Sequence, residues 1–433
     1  MQILNYKSVV ASFIQSDQKI LLLQRSAKVG TNQGKWEAVS GYLEANETPF
    51  TRAKIEIQEE LSLTSDHIAL VRSGVPLRAL DEENMTVWIV HPFLFRTSNS
   101  AISIDWEHAR YEWVSPNDLD SYDTVPKLKE TFERVQWDLQ TTSKSQSAAF
   151  ERTLGLGEDR VSGASSLGRR AVQIIARAAE SPDIESKDDL YKDMLMLFLK
   201  MRTVQRSMAT LQNMTGKFLY LVDSKRTNST SLHDFRQSAF GFEREILSAS
   251  ETEAENAAKH LANIIPNDAK VLTHSYSNTA KRAFENIARG GGEIEVWVTE
   301  SNPGYEGRVL ASDLNEMGLQ VRIVPDVDVP VILEDVDVVV VGADSVLVDG
   351  SIVNKIGTRK MAVEAEAKNV PFYVICETSK FSAANLLGED VEIAQIFDVT
   401  PSKLIRKIIT ELGPLEPDDV ADRIKIMLRE LYT

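Results

Sequence analysis

Gly41-Tyr-Leu-Glu-Ala-Asn-Glu47-Thr48-Pro49-Phe-Thr-Arg52-Ala53-Lys-Ile55-Glu56-Ile57-Gln-Glu59-Glu60-Leu61-Ser62-Leu63 decides how the N-terminal third of this chain is read. Thr48 is a side chain suited to cap a helix, and Pro49 has its φ preset for the first helical position, so a helix starts there. Within it Ala53, Ile57 and Leu61 recur every four residues and form a stripe that packs inward. Glu56, Glu59 and Glu60 stand at i, i+3 and i+4, so at 100° per residue they share another face and three carboxylates converge. Like charges that close repel unless a cation sits among them, and hard oxygen donors favour Mg²⁺ or Mn²⁺. The spacing alone leaves a second possibility open, a solvated acidic face.

The surroundings add to this reading. Gly41, Glu47 and the Ile55-Glu56-Ile57-Gln58-Glu59-Glu60-Leu61-Ser62-Leu63 run resemble the Nudix box. The likeness extends to Leu22-Leu-Gln-Arg25 and Gly34-Lys-Trp-Glu-Ala-Val-Ser-Gly41 before the box, and to Glu107-His-Ala-Arg-Tyr-Glu-Trp-Val-Ser-Pro116 after it. It covers the first 130 residues or so and implies a Nudix fold. It also implies metal binding by Glu56, Glu59 and Glu60 with support from Glu47, and hydrolysis of a nucleoside diphosphate linked to another group. Two positions depart from the pattern: the box Arg is Ile55 and the late Gly is Ser62. Arg52 lies four residues before Glu56 on the same face, placed either to reach into the carboxylates or to stand as an ordinary surface residue.

Working outward, Ser8 to Ile14, Lys19 to Leu23, Met85 to Phe95 and Tyr111 to Val114 read as strands, which makes residues 1–140 an α+β unit. Residues 141–149, Thr-Thr-Ser-Lys-Ser-Gln-Ser-Ala-Ala, are small and polar and read as a linker. Residues 150–265 carry helical periodicity at Ala171 to Ala179, Leu190 to Leu211 and Thr252 to Ile264. From 266 to 433 strands and helices alternate: Lys270 to Thr273, Glu293 to Thr299, Gln320 to Val324, Val336 to Val341 and Pro371 to Ile375 are the strands. They are nearly all apolar, as parallel strands covered on both faces must be, so an α/β architecture with a Rossmann-like sheet follows the helical part. No internal repeat is visible.

In the C-terminal part, Val271-Leu-Thr-His-Ser-Tyr-Ser-Asn278 places small polar residues where a parallel strand gives way to a helix, a place where backbone N–H groups can receive a phosphate. Val340-Val-Gly-Ala-Asp-Ser345 repeats the arrangement with a carboxylate, and Asn354-Lys-Ile-Gly-Thr358 adds a cation. These runs, with Val298-Thr-Glu-Ser-Asn-Pro303, Glu306-Gly-Arg308 and Glu377-Thr-Ser-Lys-Phe381, resemble the family of translation initiation factor 2B alpha, beta and delta subunits. That family also holds ribose-1,5-bisphosphate and methylthioribose-1-phosphate isomerases. The likeness runs from about Arg160 to Phe381. It implies phosphate binding in Arg160-Val-Ser-Gly163-Ala, ligand binding by Ser275, Ser277, Asn354 and Lys355, a catalytic Asp344, and dimerisation through the C-terminal domain. Ser275 stands where the isomerases have a Cys, and Asn302 where they have an Arg. A serine hydroxyl is a poor proton carrier near neutrality unless a base activates it.

Other features carry less chemistry. Gly290-Gly-Gly292 follows a helix and reads as its cap and turn. His274 reads as a hydrogen-bonding residue of its loop, Cys376 as core, and Met194, Met196 and Met201 as gap fillers between helices. With 48 Lys+Arg against 64 Asp+Glu, the net charge of −16 opposes binding to a nucleic-acid backbone in bulk. The single cysteine excludes an internal disulfide and suits a reducing cytoplasm. No apolar stretch of about 18 residues is present to cross a membrane, and the alternating N-terminus is unlike a signal peptide. The expected function is Mg²⁺- or Mn²⁺-dependent hydrolysis of a nucleotide-type diphosphate, joined to a module that binds a phosphorylated sugar or nucleotide. The alternatives are a sensor without turnover, a regulatory protein of the initiation factor 2B type, and a sugar-phosphate isomerase.

Overall fold

The computed structural model describes residues 5–44, 47–81, 86–99, 102–136, 152–153, 155–156, 163–204, 208–226, 228–388 and 393–432. The linker read at 141–149 and Arg160 lie outside the described residues. The chain divides into two compact units, one of residues 1–140 with 384–390 and 429–433, the other of 141–383 and 391–428.

Among the described residues the first unit carries an eight-stranded sheet. β1 (Asn5–Ser16) and β2 (Lys19–Arg25) are followed by β3 (Trp36–Glu37), β4 (Val39–Tyr42), β5 (Ile68–Ser73), β6 (Leu77–Asp81), β7 (Thr86–Thr97) and β8 (His108–Val114). The order is β3-β2-β1-β7-β5, with β4 on β1, β6 on β7 and β8 on β2. β1 and β7 run parallel from Asn5↔Thr86 to Gln15↔Arg96. The helix read after Thr48 is α1 (Pro49–Leu61), and the Thr48 hydroxyl accepts from the Thr51 N–H at 3.1 Å. Its Ala53, Ile57 and Leu61 pack with Val10, Ile14, Phe93 and Phe95. Ser62 ends it in the left-handed region at φ 56°, the conformation that explains a Gly at this place in the box. The opposite side of the sheet is closed by Phe13, Leu22, Trp36 and Val114 with Leu128 and Phe132 of α2 (Leu128–Glu133).

The second unit begins with helices α3 (Ala164–Ala176), α4 (Lys187–Val204), α5 (Ala209–Arg226) and α6 (Leu232–Ala262). Two expectations need correction. The run read as Leu190 to Leu211 is two helices, and the helix read from Thr252 to Ile264 is the end of one 31 residues long. Early in α6 only Phe235, Ala239, Ile246 and Ser250 are buried, and that sparse, partly polar stripe hides the helical period.

A seven-stranded sheet follows: β9 (Ala269–Thr273), β10 (Ile294–Thr299), β11 (Gln320–Val324), β12 (Val338–Val341), β15 (Phe372–Ile375), β17 (Lys407–Thr410) and β18 (Gly413–Leu415), in the order β11-β10-β9-β12-β15-β17-β18. All neighbours are parallel except β17 with β18. Connections leave β9 in one direction and β12 in the other, so the gap between their carboxyl ends is the topological switch point where ligands bind in such sheets. Helices α7 (Asn278–Arg289), α8 (Glu306–Glu316) and α9 (Thr358–Ala367) connect these strands. A small antiparallel sheet of β13 (Ser345–Val346), β14 (Ile352–Lys355) and β16 (Phe397–Thr400) sits beyond β12 and was not legible in the sequence. Gly290 caps α7 and Gly291 turns at φ 78°, as read. Cys376 and Met194 are fully buried.

Candidate functional site

In the first unit Glu56 and Glu59 of the box face a cleft of about 1110 Å³ whose walls also include Arg25, Glu37, Gly41, Glu44, Arg52 and Glu107. Glu56 is buried against bare backbone: a Cβ on Gly41 would lie 1.6 Å from its Oε1. The Arg52 guanidinium donates to that same oxygen, from Nε at 2.8 Å and again from Nη2. It also lies 3.7 Å from Glu47 and 3.6 Å from Glu59. Arg52 therefore stands among three carboxylates, where the sequence left it either there or on the surface.

Glu60 turns the other way. Its Oε1 accepts from the Ser40 N–H at 3.2 Å, and its buried Oε2 has no hydrogen-bond donor, lying 3.7 Å from His108 Nε2. His108 is gripped by Asp105 at Nδ1, 2.9 Å, and by Glu37 at Nε2, 3.3 Å, while Glu37 also accepts from Arg25 and from Ser40 Oγ. Burial and the charges of Glu37 and Glu56 hold the Glu60 carboxyl well above its ordinary range. Burial also raises Glu56 despite Arg52.

Convergence of Glu56, Glu59 and Glu60 on one face needs correction. Glu56 and Glu60 are buried, Glu59 is exposed, and among the described residues no group of three or more His, Cys, Asp or Glu is arranged to hold a metal ion. The helical spacing sets only where each Cα points. Each long side chain then takes its own partner, Arg52 for Glu56 and a backbone N–H for Glu60. The donor set still suits a hard divalent cation: all oxygen, one buried carboxylate oxygen without a donor, and two carboxyls whose charged forms are disfavoured until positive charge arrives. Glu37 and His108 were not singled out from the sequence because their contact joins residues 71 apart.

In the second unit a polar chamber of about 60 Å³ lies at the switch point and brings together Gly163, Ser275, Ser277, Asp344, Asn354 and Lys355. After β9, His274 bonds Thr299 Oγ1 at 2.6 Å and the Ile356 carbonyl at 2.9 Å, which is the loop-holding role read for it. Ser275 follows at φ 63° and donates its N–H to Ser301 Oγ at 2.7 Å. Ser277 caps α7, and the turn after β12 approaches it so closely that a Cβ on Gly342 would fall 2.7 Å from Ser277 Oγ. Asp344 makes no side-chain hydrogen bond among the described residues, and burial pushes its carboxyl up to about 6 against the pull of Lys380 and Lys355.

Asn354 donates to Thr358 Oγ1 at 3.1 Å and so holds the α9 entry. Lys355 pairs with Glu306 Oε1 at 2.6 Å. Lys380 lies 3.5 Å from Glu377, which accepts from Thr279 at 2.6 Å and Ser165 at 3.1 Å. Lys380, Glu306, Glu377 and Tyr276 were not assigned roles in the sequence, although all lie in the runs quoted for it. Asn302 is exposed, donates to the Tyr305 hydroxyl at 3.0 Å and does not line the chamber.

Comparison with known proteins matches this division. A NUDIX domain covers residues 5–135, and the initiation factor 2 subunit family covers residues 160–396, more than half of the chain. The chain belongs to the initiation factor 2 subunit family. Within this family it is 30% identical over 279 residues to the ribose 1,5-bisphosphate isomerase of Archaeoglobus fulgidus, spanning 60% of this chain and 86% of that one. It resembles the solved translation initiation factor eIF-2B of Pyrococcus horikoshii OT3 at 26% identity with TM-score 0.54, over 64% of this chain and 98% of that one. The tetrameric eIF2B-beta2-delta2 complex from C. thermophilum, 18% identical with TM-score 0.56 over 67% of this chain and 96% of that one, shares the fold. Among the described residues no helix is long and apolar enough to cross a membrane.

Proposed function

We propose that the chain is a two-module cytoplasmic protein whose Nudix unit hydrolyses a nucleoside diphosphate-type substrate and whose initiation factor 2B-like unit binds a phosphorylated small molecule. One observation carries the hydrolytic half: Glu56 and Glu59 line a cleft with Arg52 between them, and burial raises the carboxyls of Glu56 and of the neighbouring Glu60. Glu56, Glu59 and Glu60 would hold Mg²⁺ or Mn²⁺, which when bound polarises a diphosphate and activates water. The chain's own residues supply the rest. Arg52 orients Glu56 in place of the box Arg, Ser40 N–H fixes Glu60, and Asp105 through His108 steadies Glu37 beside it. The test is incubation with a panel of nucleoside diphosphate derivatives and Mg²⁺, followed by analysis of phosphate-containing products. Absence of turnover over the whole panel refutes the hydrolase.

The second unit supports binding more than isomerisation. Asp344 faces the chamber with a carboxyl near 6, suited to moving a proton, which favours the isomerase as the second reading. The Ser275 hydroxyl, however, has no hydrogen-bonded base among the described residues, so it offers no partner for a relay. The unit also fits a homodimer through the C-terminal domain: Ile323 on the edge strand β11 is 50% exposed, and Val327 and Val331 just after it are 76% and 69% exposed. Sedimentation analysis of the parent against Ile323→Lys checks this, with a monomeric parent refuting it.

A further inference from the structure

The cleft of the first unit runs well past its carboxylates, along one face of the sheet. β4, β1, β7 and β6 lie side by side there, and residues paired across them share that face. Ser40 opposite Ala11 marks the acidic end, next to Gly41 and Glu56. One pleat repeat on, about 7 Å along the strands, Tyr42 stands opposite Val9 and Val9 opposite Val90. A second repeat brings Trp88, opposite Lys7 on one side and Ala79 on the other. Asp81 comes last, a third repeat out. Except for Lys7, every one of these residues lines the cleft.

The far end is aromatic. The Tyr42 and Trp88 ring centroids are 5.5 Å apart at an interplanar angle of 56°, too tilted to stack on each other, so the two rings form a corner. Tyr42 is 59% exposed. The Lys7 ammonium lies 5.3 Å from the Trp88 centroid and 5.9 Å from that of Tyr42, over both rings, on an exposed side chain that can swing aside. Val9, Val90 and Ala79, all half-buried, leave a low apolar floor beside the corner. A diphosphate carrying only a sugar offers no flat apolar surface here and would leave the rings in water. A nucleoside diphosphate has its phosphates and its base at opposite ends, and stacking on aromatic rings is the contact that a base takes. An ionised carboxylate accepts hydrogen bonds and donates none, so Asp81 beyond the corner favours a base edge with an amino group and repels one made of carbonyl oxygens.

We propose that Tyr42 and Trp88 hold the base of the substrate and that Asp81 selects a base with an exocyclic amino group, as in adenine. This rests on the hydrolase reading above and names specificity residues of the same cleft, all three outside the box carboxylates.

Hydrolysis of pairs that differ only in the base, ADP-glucose with UDP-glucose and ADP-ribose with UDP-ribose, tests the selection. The adenine compound of each pair is expected to have kcat/KM about tenfold or more higher. Asp81→Asn, whose amide can donate to a carbonyl, should narrow that ratio. Tyr42→Ala should raise KM for ADP-glucose about tenfold or more while kcat changes little. Binding is read separately with Mg²⁺ and the α,β-methylene analogue of ADP-ribose, which is not cleaved between its phosphorus atoms. A base on Trp88 should quench part of the tryptophan fluorescence; Trp88→Phe, which keeps a ring for stacking, should retain the affinity and remove that quenching. Equal kcat/KM within both pairs overturns the role of Asp81 and the proposal with it. Turnover by the parent with KM indifferent to Tyr42→Ala and quenching indifferent to Trp88→Phe overturns the aromatic corner and leaves the hydrolase standing. Quenching that Trp88→Phe removes, without turnover of any nucleotide, refutes the hydrolase and keeps the base site. Absence of both turnover and quenching overturns the two together.

Discussion

At Arg52 one side chain is placed to do what the proposed hydrolase needs from the missing box Arg. Its guanidinium donates to Glu56 and lies within 3.7 Å of Glu47 and Glu59, which is the basis for proposing that it substitutes for the Arg missing at Ile55. Arg52→Ala should lower Mg²⁺ affinity and hydrolysis together, and Arg52→Ala with Ile55→Arg should restore part of both; metal titration and rates read them separately. Glu59→Gln and Glu60→Gln should each lower turnover by roughly 10²-fold or more with the fold retained, since each removes a carboxylate oxygen from the proposed metal-binding set. Parental rates in both variants would refute the assigned chemistry. In the other unit, Ser275→Cys should raise isomerisation of ribose-1,5-bisphosphate, and adding Asp344→Asn should remove the gain, because the thiol supplies the proton carrier that the serine does not. The residue types were legible in the sequence. Which carboxylates would be buried was not, because Glu56 and Glu60 take their partners from Arg52 and from Ser40 on another element.

Elements meet at glycines in both units, and the two contacts predict opposite outcomes. A Cβ on Gly41 of β4 meets the flexible end of Glu56, so Gly41→Ala should displace that carboxylate and cut hydrolysis while thermal unfolding moves little. A Cβ on Gly307, in the first turn of α8, would fall 1.8 Å from the Thr299 carbonyl of β10, and backbone cannot swing aside. Gly307→Ala should therefore cost about 3 kcal/mol or more of stability, read by denaturant unfolding; a loss under about 1 kcal/mol would show that α8 shifts freely. β9, β10, β12 and β15 were legible because both faces are covered, so Val338–Val341 is apolar throughout, whereas the parallel β17 was not read and the edge strand β11 is largely exposed. β3, β4, β14 and β16 were not, since Trp36–Glu37 is two residues long and Ile352–Lys355 ends in the buried polar pair Asn354 and Lys355.

Across the whole molecule the acidic balance extends into partly buried ground. In the second unit, burial and the charges of Glu411 and Glu377 push the Glu253 carboxyl up to about 7, with Lys217 opposing. An acid whose folded pKa is raised contributes stability that is fully present below its unfolded value of 4.5 and is lost as pH climbs through about 7. Thermal unfolding of the parent should thus show stability of this unit declining across that window, and Glu253→Gln should flatten the decline; an unchanged profile would mean the carboxyl ionises freely. The sequence by itself determined the apolar stripe of α1, the buried parallel strands, and the motifs of the two families, because these depend on local periodicity and on residue types at short spacing. Only the tertiary structure decided that Arg52 stands among the box carboxylates, that His108 reaches Glu37 across 71 residues, and that Lys380 and Glu306 join Asp344 at one switch point. Those groups come together because the sheet order brings the ends of β9 and β12 side by side, and long charged side chains settle on whichever partner burial leaves within reach.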